Sequence, residues 1–517
     1  MRHCPSGSMR KLIVGVLAVG SLAWPGLTSA WGASDSGQGT PGYAVTVIPV
    51  NSRPLGIAVD PATDTVYAVN NPLGTLSVIN GASNTVTAVI SLGSASFPQN
   101  VAVDPATDTV YVTVSNPPSV AVIDAATKTI TGVIGVGMSP TGVAVDPLTD
   151  TVYVTSQSSS SIAVIDGSTG KVTGSIDLGA GNQSFLVALD PVTDVVYVTG
   201  HNNTTGDLVW VIDGDTSTVT RTVSLGFALW GVAVDPDTDK VYVADQASNI
   251  YVIDGTDNAV IHTIAGVASA GIAVDPVTNT IFAGNVTVID GVTNKVTLTV
   301  PASSNYGIAV NPATGTVYTT GDNAAGGLVS VLTKGVSPVV TSASSATFTV
   351  GSTRTFKVTT SGSPAAAVTE TGRLPRGLTF TADDAAGTAD LTGRPAAGTG
   401  GIYPITISAS NGIPPAVTEA FRLVVDQAPA IVSASRAVFA VAVRGRFTVR
   451  TSAFPASVLT EAGRLPAGIA FRSHPDGTAT LAGTPARSAA GRLFTVKVTA
   501  ANGVGRASVQ ELTIVIR

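Results

Sequence analysis

Thiols are almost missing from this 517-residue chain: its single cysteine, Cys4, stands ahead of the first apolar stretch. A mature protein without that leading segment would contain no thiol, which excludes disulfides, iron–sulfur clusters and cysteine nucleophiles, and the lack of a Cys-x-x-Cys-His motif excludes c-type haem attachment. Charge is scarce, at 12% of residues, and aromatics make up only 5%. Residues 43–334 hold no glutamate, since the four in the chain are Glu370, Glu419, Glu461 and Glu511. Carboxylate chemistry in that region would depend on Asp alone. With 4 histidines in all, no cluster exists for zinc or copper. A G-x-S-x-G elbow and a phosphate-binding loop with its lysine are also absent. No apolar run after residue 30 is long enough to span a membrane.

What the chain has instead is glycine, 55 residues of it, with abundant Val, Thr, Ser and Ala. That balance suits short strands joined by tight turns rather than long helices. One phrase organises the strands. Gly56-Ile57-Ala58-Val59-Asp60-Pro61 has six relatives, ending at Asp104, Asp146, Asp190, Asp235, Asp275 and Asn311, at intervals of 44, 42, 44, 45, 40 and 36 residues. A period near forty with strand-like sequence between copies is what a four-stranded propeller blade needs.

Comparing the copies shows what geometry dictates. Alanine stands two residues before the Asp or Asn every time, from Ala58 to Ala309. Inner strands converge on the axis, so a small side chain is expected there. A Pro-x-Thr turn follows, and its Asp residues read as turn-makers rather than metal ligands. A second strand then carries Tyr67, Tyr111, Tyr153, Tyr197, Tyr242, Phe282 or Tyr318. Because Phe282 lacks the hydroxyl, the series reads as packing. The last copy stops after three strands, ending near Leu332, while Tyr43–Val50 reads as an orphan fourth strand. Joining the two closes a seven-bladed ring without an open edge.

These repeats, Ala-Val-Asp-Pro-x-Thr-Asp-x-Val-Tyr-Val-Thr followed by Val-Ile-Asp-Gly, resemble the YVTN-type propeller repeats of secreted and surface-layer-associated prokaryotic proteins. The resemblance covers residues 43–334. It implies an extracytoplasmic seven-bladed ring with interaction or surface functions, and it implies no reaction. Similar rings occur in quinoprotein amine dehydrogenases and antibiotic-cleaving lyases, so the fold does not select a function.

The tail repeats too. Leu374-Pro375-Arg376-Gly377-Leu378 matches Leu465-Pro466-Ala467-Gly468-Ile469, and Asn411-Gly412 matches Asn502-Gly503, each 91 residues apart. Alternating segments such as Phe356–Thr359 and Phe447–Arg450 predict half-buried strands of two small β-sandwiches. They resemble the Ig-like, cadherin-related domains of bacterial surface proteins. Some cadherin-like modules bind calcium, and here Asp426 and Asp383-Asp384 offer few ligands for it.

The expected organisation is all-β: a signal peptide at 1–30, a flexible segment at 31–42, a seven-bladed β-propeller at 43–334, and Ig-like β-sandwiches at 335–425 and 426–517. The signal rests on Arg10-Lys11, the apolar Leu12–Ala23 and the small residues Thr28-Ser29-Ala30; an uncleaved anchor is the alternative. Residues 43–334 hold 7 Lys/Arg and 23 Asp/Glu, a net of −16, whereas residues 335–517 hold 17 and 9, a net of +8. The acidic ring disfavours nucleic acid as a partner. The basic tail could touch a cell-wall polyanion, although its arginines look scattered along the sequence.

Recognition is expected where the copies differ. Five residues before each Asp or Asn, at the channel mouth, stand Leu55, Gln99, Thr141, Phe185, Trp230, Ala270 and Tyr306. The same loop face is expected to hold Phe97, Asn182, Gln183, His201, Phe227 and Asn305. Aromatics beside amides and hydroxyls suit a glycan, peptide or protein surface, and they could equally plug the channel. The expected ligand-binding set is Gln99, Thr141, Phe185, Trp230, Tyr306, His201 and Asn182, with no catalytic residue, cofactor or metal. The reading is an exported, extracellular or cell-surface, non-enzymatic binding or adhesion scaffold with the Ig-like domains as spacers. Two rivals stay open: a lyase or hydrolase using His201, and a structural envelope component without a discrete ligand.

Overall fold

A computed structural model describes residues 41–517 apart from Ser52, Phe227, Ala268, 303–305 and 324–325. The signal peptide expected at 1–30, Cys4, most of the 31–42 segment, Phe227 and Asn305 therefore lie outside the described residues. The described chain divides into two compact units, Gly42–Lys334 and Gly335–Arg517. Among the described residues no helix is long and apolar enough to cross a membrane.

The first unit is a series of seven blade-like antiparallel sheets, an arrangement consistent with a propeller. Each of the first six blades is a four-stranded antiparallel sheet in sequence order. Blade 1 runs through Pro54–Asp60, Thr65–Asn70, Thr75–Asn80 and Thr85–Ser91, and its inner strand is buried throughout. The outer strand alternates exposed and half-buried residues because it faces solvent. Blade 7 is built from Ile308–Asn311, Thr316–Asn323 and the start of the long strand Gly326–Val340. Its fourth strand is Pro41–Pro49, which pairs with that long strand. Tyr43 and Ile48 sink into the core between blade 7 and its neighbours. Each inner strand packs against the next, and the blade 1 inner strand packs against blade 7.

The turn after each inner strand is self-contained. Asp60 accepts from the Ala62 amide at 2.9 Å and the Thr63 hydroxyl at 2.5 Å. Blades 2 to 6 repeat this pair of bonds. The aromatic series is fully buried, as its packing role requires. Its hydroxyls have a further surrounding: those of Tyr111 and Tyr318 crowd Gly167 and Gly81 beside Asp150 and Asp64 of the following blade. Burial first, then these carboxylates, pushes the tyrosine pKa values up. Packing alone does not account for the hydroxyl.

The second unit holds two sandwiches of one topology. In the first, Ser345–Thr349, Val417–Ile431, Gly401–Ser410 and Ala367–Gly372 form one sheet, and the end of Gly326–Val340, Arg354–Ser363, Thr388–Gly393 and Leu378–Asp383 lie side by side in that order in the other. Residues 335–338 lie inside a strand whose Val336, Val339 and Val340 carry ladder pairs. The second sandwich repeats the plan, with the end of Val417–Ile431 supplying its first strand. The Gln427 side chain fixes that passage by accepting from the Gly398 and Gly400 amides and donating to Ser452.

Two expectations follow. Ile48→Ala, which hollows the closing strand, should cost about 2–4 kcal/mol and lower the ring's chemical-denaturation midpoint. An unchanged midpoint would contradict closure by this strand. The second concerns Asp194, whose pKa is pushed up to about 6 by burial and then by Asp146, Asp215 and Asp213. A raised carboxylate pKa penalises the fold fully above pH 6, and the penalty fades as pH falls toward the ordinary value of 3.8. Asn279 occupies the matching position in blade 6 and tolerates the same positive φ. Asp194→Asn should therefore raise the thermal midpoint by about 1–2 °C at pH 7.5 and leave it unchanged at pH 4, as scanning calorimetry can check.

Candidate functional site

The channel mouth is shaped by a bulge repeated in the inner strands. In blade 3, Pro140 pairs with Ser156 and Val143 with Val154, so Thr141 and Gly142 oppose the single residue Thr155. Blades 1, 2, 4 and 5 carry the same irregularity. A bulge removes ladder partners and re-aims a side chain. The positions affected are those four and five residues before the turn Asp.

A threonine repairs the ladder. The Thr155 hydroxyl accepts from the Gly142 amide at 2.8 Å and donates to the Phe185 carbonyl of the next blade at 2.7 Å. Thr113 does the same between the Asn100 amide and the Thr141 carbonyl, and Thr199 between Leu186 and Trp230. Thr320 joins the Gly307 amide to the Leu55 carbonyl across the ring's seam. The sequence displays this threonine in blades 2, 3 and 4 as the end of the Val-Tyr-Val-Thr phrase; there it faces a bulge, while Thr320 makes the same bonds in blade 7, whose paired inner strand shows no register shift.

The mouth opens into a cavity of about 310 Å³ lined by Arg53, Leu55, Asn71, Gln99, Asn100, Thr141, Gln157, Phe185, Leu186 and Trp230. Four of the expected residues, Gln99, Thr141, Phe185 and Trp230, meet there. Phe185 and Trp230 stack with centroids 4.9 Å apart and planes 24° apart. The buried indole Nε1 of Trp230 has no hydrogen-bond partner among the described residues. Tyr306 enters indirectly: Arg53 Nε donates to its hydroxyl at 2.5 Å and the guanidinium carbon lies 4.6 Å from its ring centre. Burial raises the Tyr306 pKa while Arg53 opposes the shift.

Arg53, Asn71 and Gln157 were not anticipated. Asn71 and Gln157 lie just beyond second strands and Arg53 just before the first inner strand, outside the recurring phrase, so no repeat position marks them. Asn71 donates to the Pro98 carbonyl at 3.1 Å and Gln99 to that of Phe97 at 3.1 Å. These bonds leave both amide oxygens available.

His201 and Asn182 stand elsewhere, and their expected setting needs correction. His201 is not in a loop: blade 4 extends its first two strands to Asn182–Asp190 and Val195–Asn202, where His201 pairs with Gln183 and Asp207. Its Nδ1 contacts Asp207 Oδ1, and Asp207 Oδ2 accepts from the Leu229 amide at 2.7 Å. Asn182 donates to the Leu178 carbonyl and accepts from Asn202. Both side chains are committed to bracing the blade, and neither lines the cavity. Among the described residues no three His, Cys, Asp or Glu side chains gather as a metal site. In the first sandwich, Asp383 and Asp384 accept from the Ala386 and Val368 amides.

Residues 428–517 match a family model described as "Putative Ig domain". No curated protein sequence matches the chain. Among solved structures, the chain is similar to Kuenenia stuttgartiensis hydrazine synthase, with 18% identity, a TM-score of 0.47, and coverage of 53% of this chain and 94% of that one.

Asp207→Ala should strand the buried Leu229 amide and destabilise the ring by about 1–3 kcal/mol in urea unfolding. His201→Ala, which removes a half-exposed partner, should cost less than half as much.

Proposed function

We propose that this chain is an exported, extracellular or cell-surface binding protein, not an enzyme, with a propeller of the YVTN repeat type. The ring recognises its ligand at the channel mouth, and the two Ig-like domains act as spacers. The observation that carries this reading is the composition of the mouth. One wall is a stacked Phe185–Trp230 pair with an unpartnered indole N–H. The other walls bring Arg53, Asn71, Gln99 and Gln157 around it.

That arrangement fits a sugar residue better than a purely apolar ligand. The apolar face of a pyranose lies on an aromatic wall, while amides and a guanidinium meet its hydroxyls. A cavity of about 310 Å³ admits one such unit and leaves the remainder of a glycan outside. A peptide end would use the same groups, with Arg53 taking its carboxylate. The rival enzyme reading leans on His201, and the bonds of His201 and Asp207 give that pair a bracing role.

Screening the full chain against glycan and peptide arrays, followed by titration calorimetry, tests the proposal. Trp230→Ala should weaken binding of the best ligand about 10- to 30-fold, measured well below the variant's thermal midpoint, which the lost packing lowers. Arg53→Gln should weaken it less for a neutral glycan than for a carboxylated one. Full binding by a folded Trp230→Ala variant would remove the mouth as the recognition site.

A further inference from the structure

The second sandwich carries a basic face that its twin lacks. Gly445–Phe454, Thr478–Gly483 and Ile469–Ser473 are adjacent strands of one sheet. Phe447, Val449, Ala479 and Leu481 pack into the core, so the alternate residues face outward. The pairing places Arg446 opposite Ala482, Thr448 and Arg472 on either side of Thr480, and Arg450 opposite Thr478. Arg446, Arg450 and Arg472 are all exposed. Arginines that look scattered in the sequence thus meet on one flat surface. Arg446 and Arg450 lie about 13 Å apart along their strand, and Arg472 is two strand spacings, about 10 Å, away.

The cations have no acidic partner. Among the described residues no carboxylate forms an ion pair with any of the three. Arg446 donates to the Thr480 hydroxyl at 3.2 Å, and His474 contacts the same oxygen at 2.9 Å. The nearby turn carboxylate, Asp476, is occupied by the Thr478 amide and hydroxyl.

The first sandwich is the internal control. Its matching strands carry Thr355, Thr359 and Thr381 where the second has Arg446, Arg450 and Arg472, and Lys357 faces Asp390 at 3.8 Å. The same fold forms without the arginines, so packing does not require them.

We infer that this face of the second sandwich binds a carboxylated polysaccharide, independently of the channel mouth. Guanidinium forks match carboxylates geometrically, and the intervening Thr448 and Thr478 hydroxyls suit sugar hydroxyls. Single-stranded nucleic acid fits less well because the aromatics of these strands, Phe447 and Phe471, pack toward the core instead of offering a stacking platform.

The test passes the full chain over immobilised polygalacturonate, polyphosphate and neutral dextran. Wild type should be retained on polygalacturonate, released by rising salt, and pass through dextran. Arg446→Thr/Arg450→Thr/Arg472→Thr, which installs the residues of the twin domain, should bind polygalacturonate about tenfold more weakly with an unchanged thermal midpoint. Wild-type-like retention of this variant, or no retention of the wild type, overturns the assignment. Equal retention on polyphosphate overturns the carboxylated-sugar choice. Should the triple variant fail to fold, Thr355→Arg/Thr359→Arg/Thr381→Arg gives the reciprocal reading: stronger retention supports the proposal and none opposes it.

Discussion

The ring depends on a hydrogen-bond relay placed where its inner strands crowd together. At each bulge the backbone amide four residues before the turn Asp loses its ladder partner, and a buried unpaired amide is costly. In blades 2, 3 and 4 a threonine hydroxyl accepts from that amide and donates to the next blade's carbonyl, and Thr320 makes the same pair of bonds in blade 7, where the pairing shows no bulge. One side chain thus satisfies a local defect and joins two blades. In blades 3 and 7 the amide belongs to a glycine packed closely against the next blade: a Cβ on Gly307 would sit 2.6 Å from the Leu55 carbonyl, and one on Gly142 would sit 3.0 Å from that of Phe185, whereas Asn100 and Leu186 hold the position in blades 2 and 4.

The relay also explains how the mouth can vary. The carbonyls it holds belong to Leu55, Thr141, Phe185 and Trp230, whose side chains line the cavity. Their main chain is fixed by a neighbouring blade, so the side chains of Phe185 and Trp230 are free to vary, while the Thr141 hydroxyl and Leu55 also contact the adjoining blade. Position is set by backbone and identity is left to the ligand. That separation lets a nearly uniform repeat carry a non-uniform recognition surface.

The repeat was legible because its causes are local. A turn Asp, its Pro-x-Thr and an alternating strand each act within a few residues, and each copy states them again. The pairing of Pro41–Pro49 with blade 7 was legible from a count of strands. Arg53, Asn71 and Gln157 were not, because nothing in a repeat marks a residue that matters only once the ring brings distant blades together. His201 was misplaced for a related reason: the polar run His201-Asn202-Asn203 has loop composition, yet Asp207 pairs across from it and prolongs the hairpin. The arginine face was hidden by the same effect, since Arg446 and Arg472 are separated in sequence and share a face only through the strand between them.

Charge placement shows how the seam differs from the rest of the ring. The first Asp of one blade lies near the second Asp of the next, and burial together with that like charge raises the pKa values of Asp150, Asp194 and Asp239, through Asp104, Asp146 and Asp190. Each such junction stores repulsion that packing must overcome. In blades 6 and 7 the pattern relaxes: Asn279 and Gly315 replace the second Asp, and Asn311 replaces the first in blade 7. At the seam the Asn311 amide donates to Asp64 Oδ1 at 2.7 Å, turning what would be a carboxylate pair into a hydrogen bond. Blade 7 is also the blade whose fourth strand comes from the start of the described chain, so its third and fourth strands are held together by pairing alone. The chain runs directly from Pro41–Pro49 into Pro54–Asp60, so blades 7 and 1 are linked covalently as well, and the Asn311–Asp64 bond adds attraction at that junction in place of repulsion.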